Sequence, residues 1–329
     1  MKQKTILIPA SRIASLLTEE GCLRVVEKAF RSYALKQTLL PPKLYLTLPG
    51  AIGDFRAMPA FLSSPLACGL KWVNVHPGNS RKGLPTVMAL IILNDPATGS
   101  PLAILDGTLI TQMRTGASGA IAASYLARRD SKVLGFIGCG VQAETQLSFL
   151  LKRFPLKRVL VWGPSASNRD HFLKRMKSLK TILKPCAAIE EVVRSSDIVT
   201  TTTPSRRPLV LSQWVKPGTH LNAIGADAKG KQELDPHLLQ HARLVVDDIT
   251  QACHSGELNV PFSKGLVTAK DIDATLGEVI AGKKAGRRSS KEITLFDSTG
   301  LAIQDVAVAW SVYRKALAQK SNLRAFSFS

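Results

Sequence analysis

The spacing of apolar positions changes character along the 329 residues. Across residues 11–36, Ile13, Leu16, Leu17, Leu23, Val26, Ala29 and Phe30 recur at helical intervals, which predicts helices; Pro41 and Pro42 end the region. Residues 44–93 read as strands: 43–48 alternate, and 69–75 and 87–93 are short apolar runs bounded by Gly, Pro and Asn. Residues 94–99 form a turn, 102–105 a further strand and 108–126 a helix of small residues. Beyond that, strand and helix patterns alternate. Strands are predicted at 132–137, 158–162, 182–184, 198–202, 220–224 and 244–246, with helices at 142–152, 168–180 and 189–194. Such alternation implies a mostly parallel, doubly wound sheet. The expected fold is therefore α/β in two domains. Residues 1–118 with 302–329 form an α+β domain that includes a returning helix at 304–318, and residues 119–301 form the doubly wound domain.

Composition narrows the function classes. At 45% hydrophobic, the chain can bury the cores of about two domains. Its five cysteines are scattered, odd in number and without CxxC spacing, which argues against a disulfide framework or a zinc site and suits a reducing compartment. No metal is expected. No apolar run approaches the roughly 20 residues of a membrane span. The N-terminal stretch breaks at Pro9, Ser11 and Arg12 and does not read as a signal peptide, so a cytoplasmic protein is expected. A net charge of +20 permits nucleic-acid binding. The cations, however, are spread over residues 128–129, 152–158, 174–184 and 283–291, and aromatics are only 6% and not interleaved with them. That pattern reads as solvated surface.

The sharpest local signal follows the first strand of the doubly wound section. Gly138-Cys139-Gly140-Val141-Gln142-Ala143 is a G-x-G-x-x-A turn between a strand and a helix. In this context Gly138 allows the tight turn, Gly140 lets the backbone approach a pyrophosphate, and Ala143 keeps helix and strand close. The helix start offers N–H groups and a positive dipole end to phosphate. With strands on both sides, the turn marks a Rossmann dinucleotide-binding domain. The acidic residue expected about 20 positions further on, which would bind the ribose 2′-hydroxyl, is missing. Trp162 is followed by Gly163-Pro164-Ser165-Ala166-Ser167, and Asp170 already lies in the next helix. The gap leaves room for a 2′-phosphate held by Ser165, Ser167 and Arg169, which favours NADP over NAD. The same residues also suit a helix cap in an enzyme that takes either cofactor.

Three charges stand where an apolar core would not want them: Lys71 inside the strand Gly69-Leu70-Lys71-Trp72-Val73-Asn74, Arg114 in Gln112-Met113-Arg114-Thr115-Gly116, and Asp227 beyond a strand end in Ile224-Gly225-Ala226-Asp227. Lys71 and Arg114 suit a carboxylate clamp, and Asp227 suits proton exchange with an ammonium. Each taken alone also fits an ordinary ion pair or surface charge.

These segments together resemble the ornithine cyclodeaminase/μ-crystallin family. The resemblance continues through Met58-Pro59-Ala60, His76-Pro77-Gly78-Asn79, Leu84-Pro85-Thr86-Val87, Gly230-Lys231-Gln232-Glu233-Leu234-Asp235, Glu292-Ile293-Thr294-Leu295-Phe296 and Asp297-Ser298-Thr299-Gly300-Leu301-Ala302-Ile303-Gln304-Asp305, in order over nearly the whole chain. It implies a homodimer in which the N-terminal section and returning helix bind substrate and dimerise, while the middle is the Rossmann domain. Family members include ornithine cyclodeaminase, archaeal-type alanine dehydrogenase, ketimine and Δ1-pyrroline-2-carboxylate reductases, and a thyroid-hormone-binding crystallin. Carried over by position, Lys71 and Arg114 hold the substrate carboxylate beside the nicotinamide. Asp227 is the catalytic acid/base, with Lys71 the second catalytic residue. Thr86, Val141, Gln142, Thr202, Ile224, Lys231 and Ser298 line the cofactor, joining Gly138, Gly140, Ser165 and Arg114. The basic loop at 282–291 falls where the family has a loop, which argues against a dedicated nucleic-acid arm.

Two departures bear on substrate. Lys43 stands where the family has a further carboxylate-binding arginine, so charge is kept without the bidentate fork. Arg56 stands near the place of the glutamate with which ornithine cyclodeaminases handle the distal amine, and an arginine there repels an ammonium. The expected activity is NAD(P)-dependent hydride transfer at Cα of a small amino or imino acid, with imine reduction or amino-acid dehydrogenation ahead of ornithine cyclisation to proline and ammonia. A non-catalytic, NADP-binding crystallin-like protein is the other reading; intact Lys71, Arg114 and Asp227 speak against it.

Overall fold

The computed structural model describes residues 4–179, 181–319 and 323–327. The chain forms two compact units, Met1–Arg114 with Leu301–Ser329, and Thr115–Gly300. The first unit opens with β1 (Lys4–Ile8), α1 (Ala10–Leu16) and α2 (Glu19–Ala34), then β2 (Thr38–Leu39), β3 (Leu44–Thr47), β4 (Asp54–Ser63), β5 (Leu66–Val75), β6 (Val87–Asn94) and β7 (Pro101–Asp106). Helix α3 (Gly107–Leu126) carries the division at Arg114. The second unit runs through β8 (Val133–Ile137), α4 (Val141–Leu151), β9 (Arg158–Trp162), α5 (Ala166–Met176), β10 (Ile182–Pro185), α6 (Ile189–Ser195) and β11 (Ile198–Thr201). It continues with β12 (Arg206–Val210), β13 (His220–Ala223), β14 (Gln232–Leu234), α7 (Pro236–His241), β15 (Arg243–Val246), α8 (Ile249–Ser255), α9 (Asn259–Ser263), β16 (Ala274–Thr275), α10 (Leu276–Ile280) and β17 (Thr294–Asp297). The last elements, α11 (Ala302–Ala318) and β18 (Ala325–Ser327), belong to the first unit.

In the first unit, one sheet has the order β18-β1-β7-β6-β5-β4-β2, with β3 also on β4. Burial alternates along its strands: Met58, Ala60 and Leu62 of β4, Lys71 and Val73 of β5, and Ile91 and Leu93 of β6 are buried. Helix α11 packs on β4, β5, β6 and α2 over that face. At Gly69 the approach is so close that a Cβ would lie 2.6 Å from the Ile92 carbonyl and 3.3 Å from Val306, so only glycine fits. Helix α2 starts at Thr18, whose side chain accepts from Gly21 N, with Glu19 and Glu20 in the first turn. Its buried face carries Leu23, Val26 and Phe30, each contributing about 1.5–3 kcal/mol by burial.

The second unit is built on a wholly parallel sheet of order β10-β9-β8-β11-β13-β17-β15-β16. Its central strands are buried on both faces, as β11, β13, β15 and β17 illustrate, with Val199, Leu221, Leu244 and Leu295 in one core. This is the Rossmann-type α/β arrangement that the alternating pattern predicts. Several elements escaped the pattern. β17 is only four residues long, β12 and β14 are a short separate parallel pair, and β1 is a lone strand ahead of the first helix. The helix predicted over 168–180 ends at Met176, and Lys180 lies outside the described residues. No helix among the described residues is long and apolar enough to cross a membrane.

Candidate functional site

Within the second unit, strand register lines up one row of site residues. Ile137 pairs with Thr201, Thr201 with Ala223, and Ala223 with Asp297. The next residue on each strand is therefore Gly138, Thr202, Ile224 and Ser298, side by side on the carboxyl edge. Their N–H groups donate to Trp162 O (3.0 Å), Ile137 O (2.9 Å), Thr201 O (3.0 Å) and Ala223 O (3.0 Å) respectively. Four positions scattered over 160 residues of sequence thus become neighbours at the edge where open α/β sheets bind ligands.

The glycine turn is shaped as the sequence requires. Gly138 has φ 112°, a conformation other residues rarely adopt, and a Cβ there would lie 2.6 Å from Thr202 Oγ1. Gly140 is different: nothing among the described residues lies within 4 Å of where its Cβ would be. Packing within the chain does not explain that glycine, whereas a ligand drawn close to the backbone does. Helix α4 starts directly after it, exposing Val141 and presenting its first N–H groups. Gln142 Oε1, Thr202 Oγ1 and Ser298 Oγ are buried without a hydrogen-bond partner among the described residues, an arrangement that calls for an outside partner. The turn, the helix start and these three atoms fit a dinucleotide.

Beyond the row, Asp227 is about one-third exposed and its Oδ1 accepts from Lys231 Nζ at 2.6 Å. Ser165 caps α5: its Oγ accepts from Asn168 N (3.2 Å) and donates to Asn168 Oδ1 (2.5 Å). Arg169 donates to Gly163 O at 2.9 Å.

The first unit collects the cations. Lys71 Nζ lies 2.8 Å from Asp305 Oδ2, and Arg114 Nε lies 3.0 Å from Asp305 Oδ1. Arg114 also donates to Gln304 Oε1 at 3.2 Å. All are buried. Strand β5, helix α3 and helix α11 thus meet at one carboxylate shared by two cations. Burial pulls the Lys71 ammonium down from 10.5 to about 7; Asp305 opposes this, while Arg114 and Lys43 add to it. Lys43 is near enough for its charge to act on Lys71. Asp305 and Gln304 were given no site role in the sequence reading. Their signal was a polar pair in the first turn of a largely buried helix, inside the family-like stretch 297–305. Thr86 is exposed just before β6, its carbonyl accepting from His76 N at 2.8 Å.

Arg56 departs from the expectation of a repelling charge. Its guanidinium grips Asp54 through Nε (2.6 Å) and Nη2 (3.1 Å) and lies 5.2 Å from the Tyr45 ring centre. Its charge is answered inside β4, so it supplies neither a free cation nor the carboxylate a distal ammonium needs.

In the basic loop, Arg287 donates to Leu126 O at 2.6 Å and Thr294 Oγ1 at 2.9 Å, and Arg288 pairs with Glu292. These cations fasten the loop to the second unit.

A Rossmann-type sheet with a ligand-ready glycine turn, in a chain that also buries two cations on one carboxylate, marks the class of dinucleotide-binding α/β proteins. The chain belongs to the ornithine cyclodeaminase/mu-crystallin family, whose model matches residues 3–320. It is 52% identical to an alanine dehydrogenase of Archaeoglobus fulgidus over 96% of either chain. Among solved structures it is similar to an archaeal alanine dehydrogenase dimer with bound NAD (TM-score 0.95, 50% identity, covering 99% of this chain and 100% of that one). It is also similar to a Δ1-pyrroline-2-carboxylate reductase of Thermococcus litoralis in complex with NADH and L-proline (TM-score 0.94, 35% identity, covering 98% and 100%).

Proposed function

We propose that this chain is a nicotinamide-dependent oxidoreductase acting at Cα of a small amino or imino acid, as an imine reductase or amino-acid dehydrogenase. The observation that carries the reading is the buried Lys71–Asp305–Arg114 group. Two cations on one carboxylate leave positive charge for a second carboxylate, that of the substrate. The unit Thr115–Gly300 holds the dinucleotide, and the unit Met1–Arg114 with Leu301–Ser329 holds the substrate.

A bound nicotinamide supplies or accepts the hydride. The remaining work falls to the chain. Lys71, Arg114 and Lys43 fix the carboxylate and so orient Cα. Asp227 takes the ammonium proton, freeing the nitrogen lone pair as the Cα–H bond breaks. In reverse it returns that proton to the amine. Lys231, paired with Asp227, holds its carboxylate in place. Ornithine cyclisation ranks lower because the Arg56 guanidinium already occupies Asp54.

For the dinucleotide, NAD(H) is preferred to NADP(H), reversing the preference drawn from sequence. The single O–H of Ser165 is used on Asn168 Oδ1, and Arg169 is turned onto Gly163 O. A remaining lone pair on Ser165 Oγ can accept from a ribose hydroxyl but not serve a phosphate. Relatives solved with NAD or NADH support the same order.

The protein is read as a cytoplasmic homodimer. One sheet face of the first unit carries Leu44, Ala57, Trp72 and Leu90 in a register row; Leu44 is 62%, Trp72 37% and Leu90 51% exposed. A second copy covers this face, as the dimeric relative suggests. Leu90→Glu gives a monomer in light scattering; an unchanged mass removes that interface.

The function is tested by nicotinamide absorbance with NADH or NADPH against pyruvate plus ammonia, Δ1-pyrroline-2-carboxylate and Δ1-piperideine-2-carboxylate. Proline and ammonia are assayed separately from ornithine, since cyclisation leaves no net redox change. Oxidation of NADH with at least one imine is expected. No turnover with any of them, in either direction, overturns the proposal.

A further inference from the structure

Behind the cofactor edge of the second unit lies a buried carboxylate that neither the sequence reading nor the proposed chemistry uses. Glu233, in β14, is fully buried. Its Oε2 accepts from Thr201 Oγ1 at 2.7 Å and Gly225 N at 2.9 Å, and its Oε1 accepts from Thr203 N at 2.6 Å. These three donors flank the edge row. Thr201 and Thr203 bracket Thr202, and Gly225 follows Ile224 and stands two residues before Asp227. A Cβ on Gly225 would strike both Thr203 O and the Glu233 carboxylate, so the segments after β11 and β13 close on the carboxylate with no room to spare. Glu233 is itself held from behind: its N–H donates to Glu257 at 2.9 Å, as does Leu234 N at 2.7 Å.

We infer that Glu233 is a positioning residue for the dinucleotide, fixing Thr202 and Ile224 against it by clamping both loops at once. The inference rests on the nicotinamide-dependent reading above. Three N–H or O–H donors require acceptors on both oxygens, which a carboxylate provides and an amide does not. In Glu233→Gln one donor faces an NH2 group, and the loop it anchors loses its hold.

Glu257 supplies the control. Its carboxyl touches only the β14 backbone among these partners, and burial together with the Glu233 charge pushes it well above the usual carboxylate range. Glu233 N and Leu234 N both reach the same oxygen, Glu257 Oε1, so a glutamine there keeps the acceptor for both and leaves the hold on β14 in place.

The test is NADH titration of wild type, Glu233→Gln and Glu257→Gln by fluorescence, with melting temperatures alongside and the KM for NADH compared with kcat. The expected result is a loss of NADH affinity of about tenfold in Glu233→Gln, the effect of one buried unsatisfied donor. The KM for NADH should rise more than kcat falls, and Glu257→Gln should stay near wild type. Equal affinities for wild type and Glu233→Gln, or equal losses in both variants, overturn the inference. Wild type that binds neither NADH nor NADPH overturns the functional reading itself, and the inference with it. Should Glu233→Gln not fold, Thr201→Val decides: removing one of the three donors at constant shape weakens NADH binding about threefold, and unchanged binding refutes the role.

Discussion

The cofactor edge of the second unit and the cation group of the first are assembled by different means. The edge is a backbone construction: parallel register sets Gly138, Thr202, Ile224 and Ser298 side by side, and none of their side chains carries charge. The cation group is a side-chain construction: Lys71, Arg114 and Asp305 come from β5, α3 and α11, are all buried, and meet through their charged ends. A backbone site loses function by small steps when side chains change. A buried charge group couples function to stability, because removing one member strands the rest.

The largest effect is expected at Asp227, which escapes that coupling because it is part-exposed and paired with Lys231. Asp227→Asn should lower kcat by about 10²–10⁴-fold with NADH affinity and melting temperature near wild type. Near-wild-type turnover on the best substrate would remove the acid/base role.

Next comes a matched pair. Asp305→Asn leaves Lys71 and Arg114 buried together without their counter-charge, and should cost about 3–5 kcal/mol in urea unfolding. Thr202→Val deletes a buried hydroxyl that has no hydrogen-bond partner among the described residues. It should leave stability unchanged or raised while weakening NADH binding a few-fold. If the two variants lose similar stability, the contrast between the regions fails.

A pH profile sharpens the comparison further. Lys71 titrates near 7 in the folded protein against 10.5 ordinarily. Its positive charge, and with it the grip on a substrate carboxylate, is lost as pH rises through about 7. The kcat/KM for an imino acid should therefore fall about tenfold per pH unit above that point. Lys71→Arg, which keeps its charge, should abolish the fall. Stability moves the opposite way. Between pH 7 and 10.5 the unfolded chain holds a proton at residue 71 that the folded chain has given up, so this residue makes stability rise with pH. The difference between wild type and Lys71→Met should grow from pH 7 to pH 9. A pH-independent difference would mean that Lys71 stays charged in the folded protein.

The same contrast explains what could be read in advance. The glycine turn was legible because it is local: Gly138, Gly140 and the strand before them stand within eight residues. Thr202, Ile224 and Ser298 were legible only through the family resemblance, since the register that sets them beside the turn is a tertiary fact. The odd lysine in β5 and arginine in α3 were legible as anomalies. Asp305 was not, because nothing near it in sequence says which distant cations it will meet. Glu233 was quoted as part of a motif without a role, since the donors it serves lie at least eight residues away. Arg56 was read as a bare charge. The i, i+2 spacing to Asp54 on one face of β4 was visible, but pairing depends on strand geometry that a residue-by-residue reading does not weigh.

The smallest expected effect tests a side chain beyond the edge row, at the start of α5. Ser165 caps α5 and offers a remaining lone pair toward a ribose hydroxyl. Ser165→Ala should cost about 1 kcal/mol of stability through the lost cap and weaken NAD binding about threefold through the lost acceptor. NADP binding should be unaffected, because a phosphate gains nothing from an acceptor. Titrating both dinucleotides against wild type and variant reads this directly. A selective loss of NADP would mean that Ser165 turns its hydroxyl from Asn168 to a phosphate, restoring the preference first drawn from the missing carboxylate after β9. Equal losses would mean that the cap alone matters, and that dinucleotide choice is made elsewhere along the edge.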